Sequence, residues 1–196
     1  DSLPKENIVE ILSKQGYKTG VISTSSITHA TPASFYAHLK NRRDAEEIAL
    51  QLTNSEIDFF AGGGTKYFTK RADERNLLNE LSQKGFTTDT NSIETELTGD
   101  KLGYLLAADG MKKMTEGRGN FLKQATEKGI DFLKKGDSPF FLMIEGSQVD
   151  WGGHDNDMEY IVTELKDLDE AVGVALDYCE TNNNTIVIAL ADHETG

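Results

Sequence analysis

Cysteine, proline and tryptophan are scarce in this chain, which has one cysteine (Cys179), three prolines and one tryptophan (Trp151) in 196 residues. A single cysteine excludes an internal disulfide and leaves the redox compartment open; set among apolar neighbours at helical spacing, its expected role is packing. No apolar run approaches the roughly 20 residues that cross a bilayer. Positive charge is also short: 20 Lys and Arg stand against 33 Asp and Glu, a net charge of -13. That balance argues against nucleic acid or an anionic membrane as partner, since both reward Lys and Arg. It sits awkwardly with phosphate chemistry too, unless bound divalent cations invert the local sign. There is no initiator methionine, basic n-region or apolar h-region, so either a leader has been removed or the sequence starts inside a longer protein, and its end at Gly196 favours the second. Repeats and low-complexity linkers are absent. One domain over residues 1–196 is expected, with 37% hydrophobic content for its core.

What the chain does have is alternation. Lys5 to Gln15 reads as a helix stopped by Gly16, Tyr17 to Thr24 as a strand, and Pro32 onward as a helix N-capped by Thr31 with Phe35, Tyr36 and Leu39 on its apolar side. Asp44 to Leu52 is a further helix, Ile57 to Ala61 a strand and Asp73 to Lys84 a helix. Gly103 to Ala108 reads as a strand, followed by a long loop to Gly119. Asn120 to Lys135 is helical, and Met158 to Cys179 is the longest helix, with Ile161, Leu165, Leu168, Val172, Ala175 and Leu176 on one side. Such alternation predicts an α/β fold: a mostly parallel central sheet with helices on both faces.

Two further stretches frame the chemistry. Phe140 to Ile144 is apolar throughout, as in a strand buried on both faces, and Glu145 ends it. Asp150 and His154 follow beyond a Gly-rich turn. Thr185 to Leu190 repeats the pattern, ending in Asp192-His193. Ligands of open α/β sheets gather at the C-terminal ends of strands. Alone, Glu145 to His154 reads as a metal cluster or as a solvated loop; two such strand ends together favour a shared metal site. Gly62 to Gly64 lacks both GxGxxG and a following Lys-Ser/Thr, so it reads as a tight turn. His38, with no carboxylate near it in sequence, is expected to be structural.

The strings HATPASFYAHLKNR, MIEGSQVDWGGHDND and IVIALADHETG resemble, in that order, three signature segments of the bacterial-type alkaline phosphatases. The resemblance spans Thr28 to Gly196. It implies that Thr31 and Glu145 contribute to a magnesium site, that Asp150 and His154 bind one zinc, and that Asp192 and His193 reach a second. Arg42 would grip the substrate phosphate, a role its planar fork suits, with Arg43 beside it as the alternative holder. His29 stands where some members have aspartate, and Trp151 where some have lysine or histidine.

The family enzyme uses two zinc ions, one magnesium and a serine nucleophile. The serine, the bridging aspartate before it and a third zinc histidine have no counterpart in this chain; Ser23, Ser25 and Ser26 lack the right context. The resemblance therefore implies the central part of a phosphomonoesterase, acting on phosphate monoesters and inhibited by inorganic phosphate, homodimeric and periplasmic or secreted as a whole. By itself the chain is expected to fold, to associate through uncovered sheet edges, to hold metal weakly and to be inactive. Rival readings are a related phosphodiesterase, sulfatase or phosphoglycerate mutase, which would not be expected to carry the Thr31 to Arg42 segment, and a non-catalytic metal-binding domain.

Overall fold

A computed structural model describes residues 3–195. Five parallel strands form one sheet: β1 (Lys18–Ser26), β2 (Phe59–Gly63), β3 (Phe86–Asp89), β4 (Lys101–Leu105) and β5 (Phe140–Glu145), in the order β3-β4-β2-β1-β5. Successive side chains of a strand face opposite ways, and here the two directions feed two cores. Val21 and Phe60 point to one side, packed with helices α1 (Ile8–Ser13), α3 (Ala45–Thr53), α4 (Thr65–Thr69) and α5 (Leu77–Gln83). Ile22, Phe59 and Ala61 point to the other, against α6 (Phe121–Leu133) and α8 (Met158–Thr181). A sheet covered on both faces needs apolar residues both ways, which is why β1 and β2 read as buried runs. The alternation in the sequence and the fold class it predicts both hold.

Several elements differ from expectation. Thr185 to Leu190 forms no strand: it runs unpaired, with Ile186, Ile188 and Leu190 84%, 76% and 78% exposed. An apolar run needs a partner edge to become a strand, and in this structure it has none. β5 is only half-buried, because among the described residues it pairs with β1 alone and leaves its other edge open. The helix after Thr31 shrinks to α2 (Ala30–Ala33), N-capped by His29 with Thr31 inside it. Bonds from Phe35 N–H to Pro32 O and from Tyr36 N–H to Ala33 O tighten its end into 3₁₀-type turns. Strand β3 and helix α4 were not legible, and β4 begins two residues before the expected Gly103.

The expected Gly-rich turn is itself helical, as α7 (Gln148–Asp155), closed by Asn156 in the left-handed region at φ 52°. The buried row of α8 is Tyr160, Glu164, Asp167 and Ala171, while Leu165 and Leu176 are largely exposed. The reason is Arg118, whose guanidinium reaches Glu164 and Asp167 (2.7 Å to Asp167) and makes carboxylates the inward residues. Cys179 is half-buried and its thiol donates to Thr185 O at 3.1 Å, so it is less of a core residue than expected. His38 lies past the end of α2 rather than on a helix, and it does have a carboxylate, Glu10 Oε1 at 2.9 Å, supplied from α1. Gly196 lies outside the described residues.

Candidate metal centre

The strand order places β1 between β2 and β5: the chain runs from β1 to β2 on one side and later returns to β5 on the other, and ligand sites of open α/β sheets form at the C-terminal ends of the strands beside such a switch. Ser23 and Glu145 lie opposite each other there in register. Ser23 Oγ donates to Glu145 Oε2 at 2.6 Å and lies 2.7 Å from Ser25 Oγ and 3.3 Å from Ser147 Oγ, while Thr24 Oγ1 is 3.0 Å from Ser147 Oγ. Ser23 thus links the carboxylate to a chain of buried hydroxyls on Ser25, Ser147 and Thr24, with Ser23 and Ser25 pointing to the same side of β1. Burial pushes the Glu145 carboxyl up; hydrogen bonds from Ser23 and Thr31 pull it down, and the charges of Asp192 and Asp150 push it up again. Thr31, Glu145, Asp150 and Asp192 therefore share one neighbourhood.

The helical form of α7 puts Asp150 and His154 on one face, four residues apart. Asp150 Oδ1 lies 3.5 Å from His154 Nε2 and 4.0 Å from His193 Nδ1, and accepts a hydrogen bond from the Thr195 hydroxyl. Asp192 Oδ2 is 3.5 Å from His193 Nε2. His193 is held above its ordinary pKa by its backbone partner Glu194 and by Asp192 and Asp150. The surrounding crevice, about 340 Å³, is lined by Gly153, His154, Asn156, His193, Glu194 and Thr195.

His29 stands beside this cluster with its ring edge-on to Trp151, centroids 5.8 Å apart, and its Nδ1 is buried without a partner. Burial lowers its pKa, Arg42 lowers it further, and Asp150 and Asp109 oppose the shift. Arg42 is exposed in the turn after α2, near enough for His29 to feel its charge. Arg43 is exposed as well, with its backbone N–H on Asn41.

All the residues that the motifs single out therefore come to one side of the sheet, except that Arg43 has no recorded tie to the cluster. The donor types suit zinc or magnesium. A separation of 3.5 Å between Asp150 and His154 is close to the edge of a tetrahedron with bonds of roughly 2 Å. Yet among the described residues no three His, Cys, Asp or Glu side chains converge as a complete metal-binding group. Two donors per ion is what the pairs Asp150/His154 and Asp192/His193 offer. Sequence reasoning missed the hydroxyl shell of Ser23, Ser25 and Ser147, for which the Ser-x-Ser spacing in β1 was the available signal. It also missed Thr195 and Gln148, which carry no charge to draw notice.

An open parallel sheet with carboxylates and imidazoles gathered near the C-terminal ends of its strands defines an α/β protein of the kind that places its ligand sites there. The family model described as alkaline phosphatase matches residues 3–196, and the chain belongs to that family. It is 36% identical over 200 residues to Alkaline phosphatase 4 of Bacillus subtilis (strain 168), a match covering 97% of this chain and 43% of that protein. The alkaline phosphatase of the Antarctic bacterium TAB5 superposes with a TM-score of 0.91 at 49% identity, covering 94% of this chain and 55% of that one. A variant of the TAB5 enzyme, at TM-score 0.89, was solved with magnesium bound in its M3 site. The chain thus spans about half the length of the relatives it matches.

Proposed function

We propose that the whole protein is a metal-dependent phosphomonoesterase and that this chain supplies the magnesium side of its site, two ligands for each of two zinc ions and the phosphate-gripping arginine. The observation that carries this reading is Asp150 facing His154 and His193 with Glu145 and Asp192 in the same electrostatic field. Three clustered carboxylates repel one another, and bound cations would relieve that repulsion. Bound zinc would supply Lewis-acid polarisation of a phosphoryl oxygen. Asp150 and His154 would hold one ion, Asp192 and His193 the second, and Glu145 with Thr31 would face magnesium. Arg42 would bind two phosphate oxygens through its planar fork. The Ser23 and Ser25 hydroxyls keep the Glu145 carboxylate aimed. The serine nucleophile and a third zinc ligand come from sequence beyond this chain, so the chain alone is inactive. The whole protein is homodimeric and exported in this reading; among the described residues no helix is long and apolar enough to cross a membrane.

The test uses the full-length protein, an aryl phosphate and an aryl phosphodiester. Preference for the monoester, with loss of activity to chelators, is the expected result, and preference for the diester would overturn it. Arg42→Ala should weaken inhibition by inorganic phosphate by roughly 1.5 to 3 kcal/mol per lost charge-assisted hydrogen bond. If Arg43→Ala shows that loss instead, the role moves one residue along.

A further inference from the structure

Trp151 lies against backbone. A Cβ added at Gly110 would stand 2.9 Å from the indole Cη2 and 3.2 Å from Cζ3. Gly110 belongs to the loop 106–120 between β4 and α6, so the course of this loop decides where the indole rests. The loop is fastened at its start and through its middle. Gly64 and Thr65 N–H donate to Ala107 O, Met111 N–H donates to Thr24 O at 3.0 Å, and Met114 N–H donates to Glu164 Oε1 at 2.8 Å.

Gln148 joins these pieces to the helix that carries the candidate ligands. It is fully buried, two residues before Asp150. Its Nε2 donates to Thr24 O at 2.9 Å and to Met111 O at 2.8 Å, spending both N–H groups. Its Oε1 accepts the Tyr160 hydroxyl at 2.8 Å, from α8. Thr24 is joined through the Ser147 hydroxyl to Ser23, the donor to Glu145, and Met111 directly follows the glycine that seats Trp151. One amide therefore spans the gap between the Glu145 side of the site and the Trp151 side. A buried amide with every bond made could simply hold the fold together, so the two roles need separating by experiment.

We propose that Gln148 is a positioning residue: by bonding the end of β1 and the loop 106–120 at once, it sets where Asp150 and Trp151 stand relative to Glu145. The proposal rests on the phosphomonoesterase reading only for the catalytic consequence; the geometry can be tested without it.

Trp151 is the sole tryptophan, so tryptophan fluorescence reports the surroundings of this one indole. In the 196-residue chain, Gln148→Met removes both donors at similar length, and Gly110→Ala displaces the indole without touching the amide. Both should red-shift Trp151 emission and open it to acrylamide quenching, with far-UV circular dichroism retained. Tyr160→Phe, which removes one of the three bonds, should leave quenching near that of the unaltered chain. A lowered melting temperature in Gln148→Met with unchanged quenching would reduce Gln148 to a structural role and overturn the proposal. In the full-length enzyme, Gln148→Met and Gly110→Ala should each lower kcat/KM on an aryl phosphate by about tenfold, the scale of a displaced catalytic group. Unchanged kcat/KM in both would also overturn it. If Gln148→Met does not fold, Gln148→Glu, which keeps the length and an acceptor for Tyr160 while losing both donors, takes its place in the same quenching measurement. A wild-type protein with no activity on the aryl phosphate would refute the functional reading, while quenching would still judge the positioning.

Discussion

Two buried charges show at the scale of single residues what holds this chain and where it is vulnerable. Arg118 is 1% exposed, and its partners Glu164 and Asp167 are 1% and 3% exposed. Burial pushes the Asp167 carboxyl up while Arg118 pulls it down, so the trio is balanced only with the guanidinium in place. Arg118→Met leaves two carboxylates buried without a cation and should cost about 3 to 5 kcal/mol, measured by urea denaturation. A loss below about 1 kcal/mol would mean that water already reaches the carboxylates. Asp58 gives a pH dependence. Burial raises its pKa, against the Thr19 N–H at 2.8 Å and the charges of Lys101 and Lys18. With a folded-state pKa above the unfolded one, the native chain binds this proton more tightly, and the stability it contributes is lost as pH rises through the raised value. Asp58→Asn should therefore gain melting temperature over wild type at about pH 7 and lose that advantage at about pH 3. A constant difference across that range would contradict the assignment.

Among the elements, strands covered on both faces and long amphipathic helices were legible from sequence. β2, β5, α6 and α8 were, because an apolar run or a 3.6-residue period is written into them, while β1, with only Val21 and Ile22 apolar, was legible as a short strand ahead of a polar turn. β3 was missed, since Phe86–Asp89 carries one apolar residue and is a strand only through its pairing with β4. The inward face of α8 was misread for a related reason: a buried carboxylate is intelligible only once its arginine arrives from a loop 46 residues earlier. The ligand types of the candidate site were legible as motifs, while the hydroxyl shell and Gln148 depend on contacts between distant segments. Packing at glycines is equally invisible in sequence. A Cβ at Gly103 in β4 would fall within the Phe60 ring, which is itself fully buried and tilted against Phe86 with centroids 5.4 Å apart. Gly103→Ala should cost on the order of 1 to 3 kcal/mol. Gly129→Ala on α6 meets side-chain atoms at 3.2 to 3.3 Å that can yield, and helix propensity returns about 1 kcal/mol, so its loss should be the smaller of the two. Chemical denaturation of both variants checks the order.

At the scale of the whole molecule, β5 offers an edge left open among the described residues, and residues 185–190 offer an apolar segment that pairs with no strand there. Unsatisfied strand edges pair with whatever is available, including a second copy of the same chain. The 196-residue chain should show concentration-dependent self-association in sedimentation equilibrium. Ile188→Lys and Leu190→Lys, at positions 76% and 78% exposed, should weaken it without lowering the melting temperature. Equal association by wild type and both variants would place the contact elsewhere.

The central place of β1 also has a consequence for the order of events during synthesis. Lys18 lies opposite Phe140 and Ser23 opposite Glu145, so the neighbour that completes this edge of β1 leaves the ribosome more than a hundred residues after β1 itself. Until then β1 can pair only with β2, and Ser23 has no carboxylate to hold. Closing so long a loop is slow compared with forming local helices. The nascent chain therefore carries an exposed β1 edge for more than a hundred residues of synthesis, and Ser23 and Glu145 meet only once β5 has emerged.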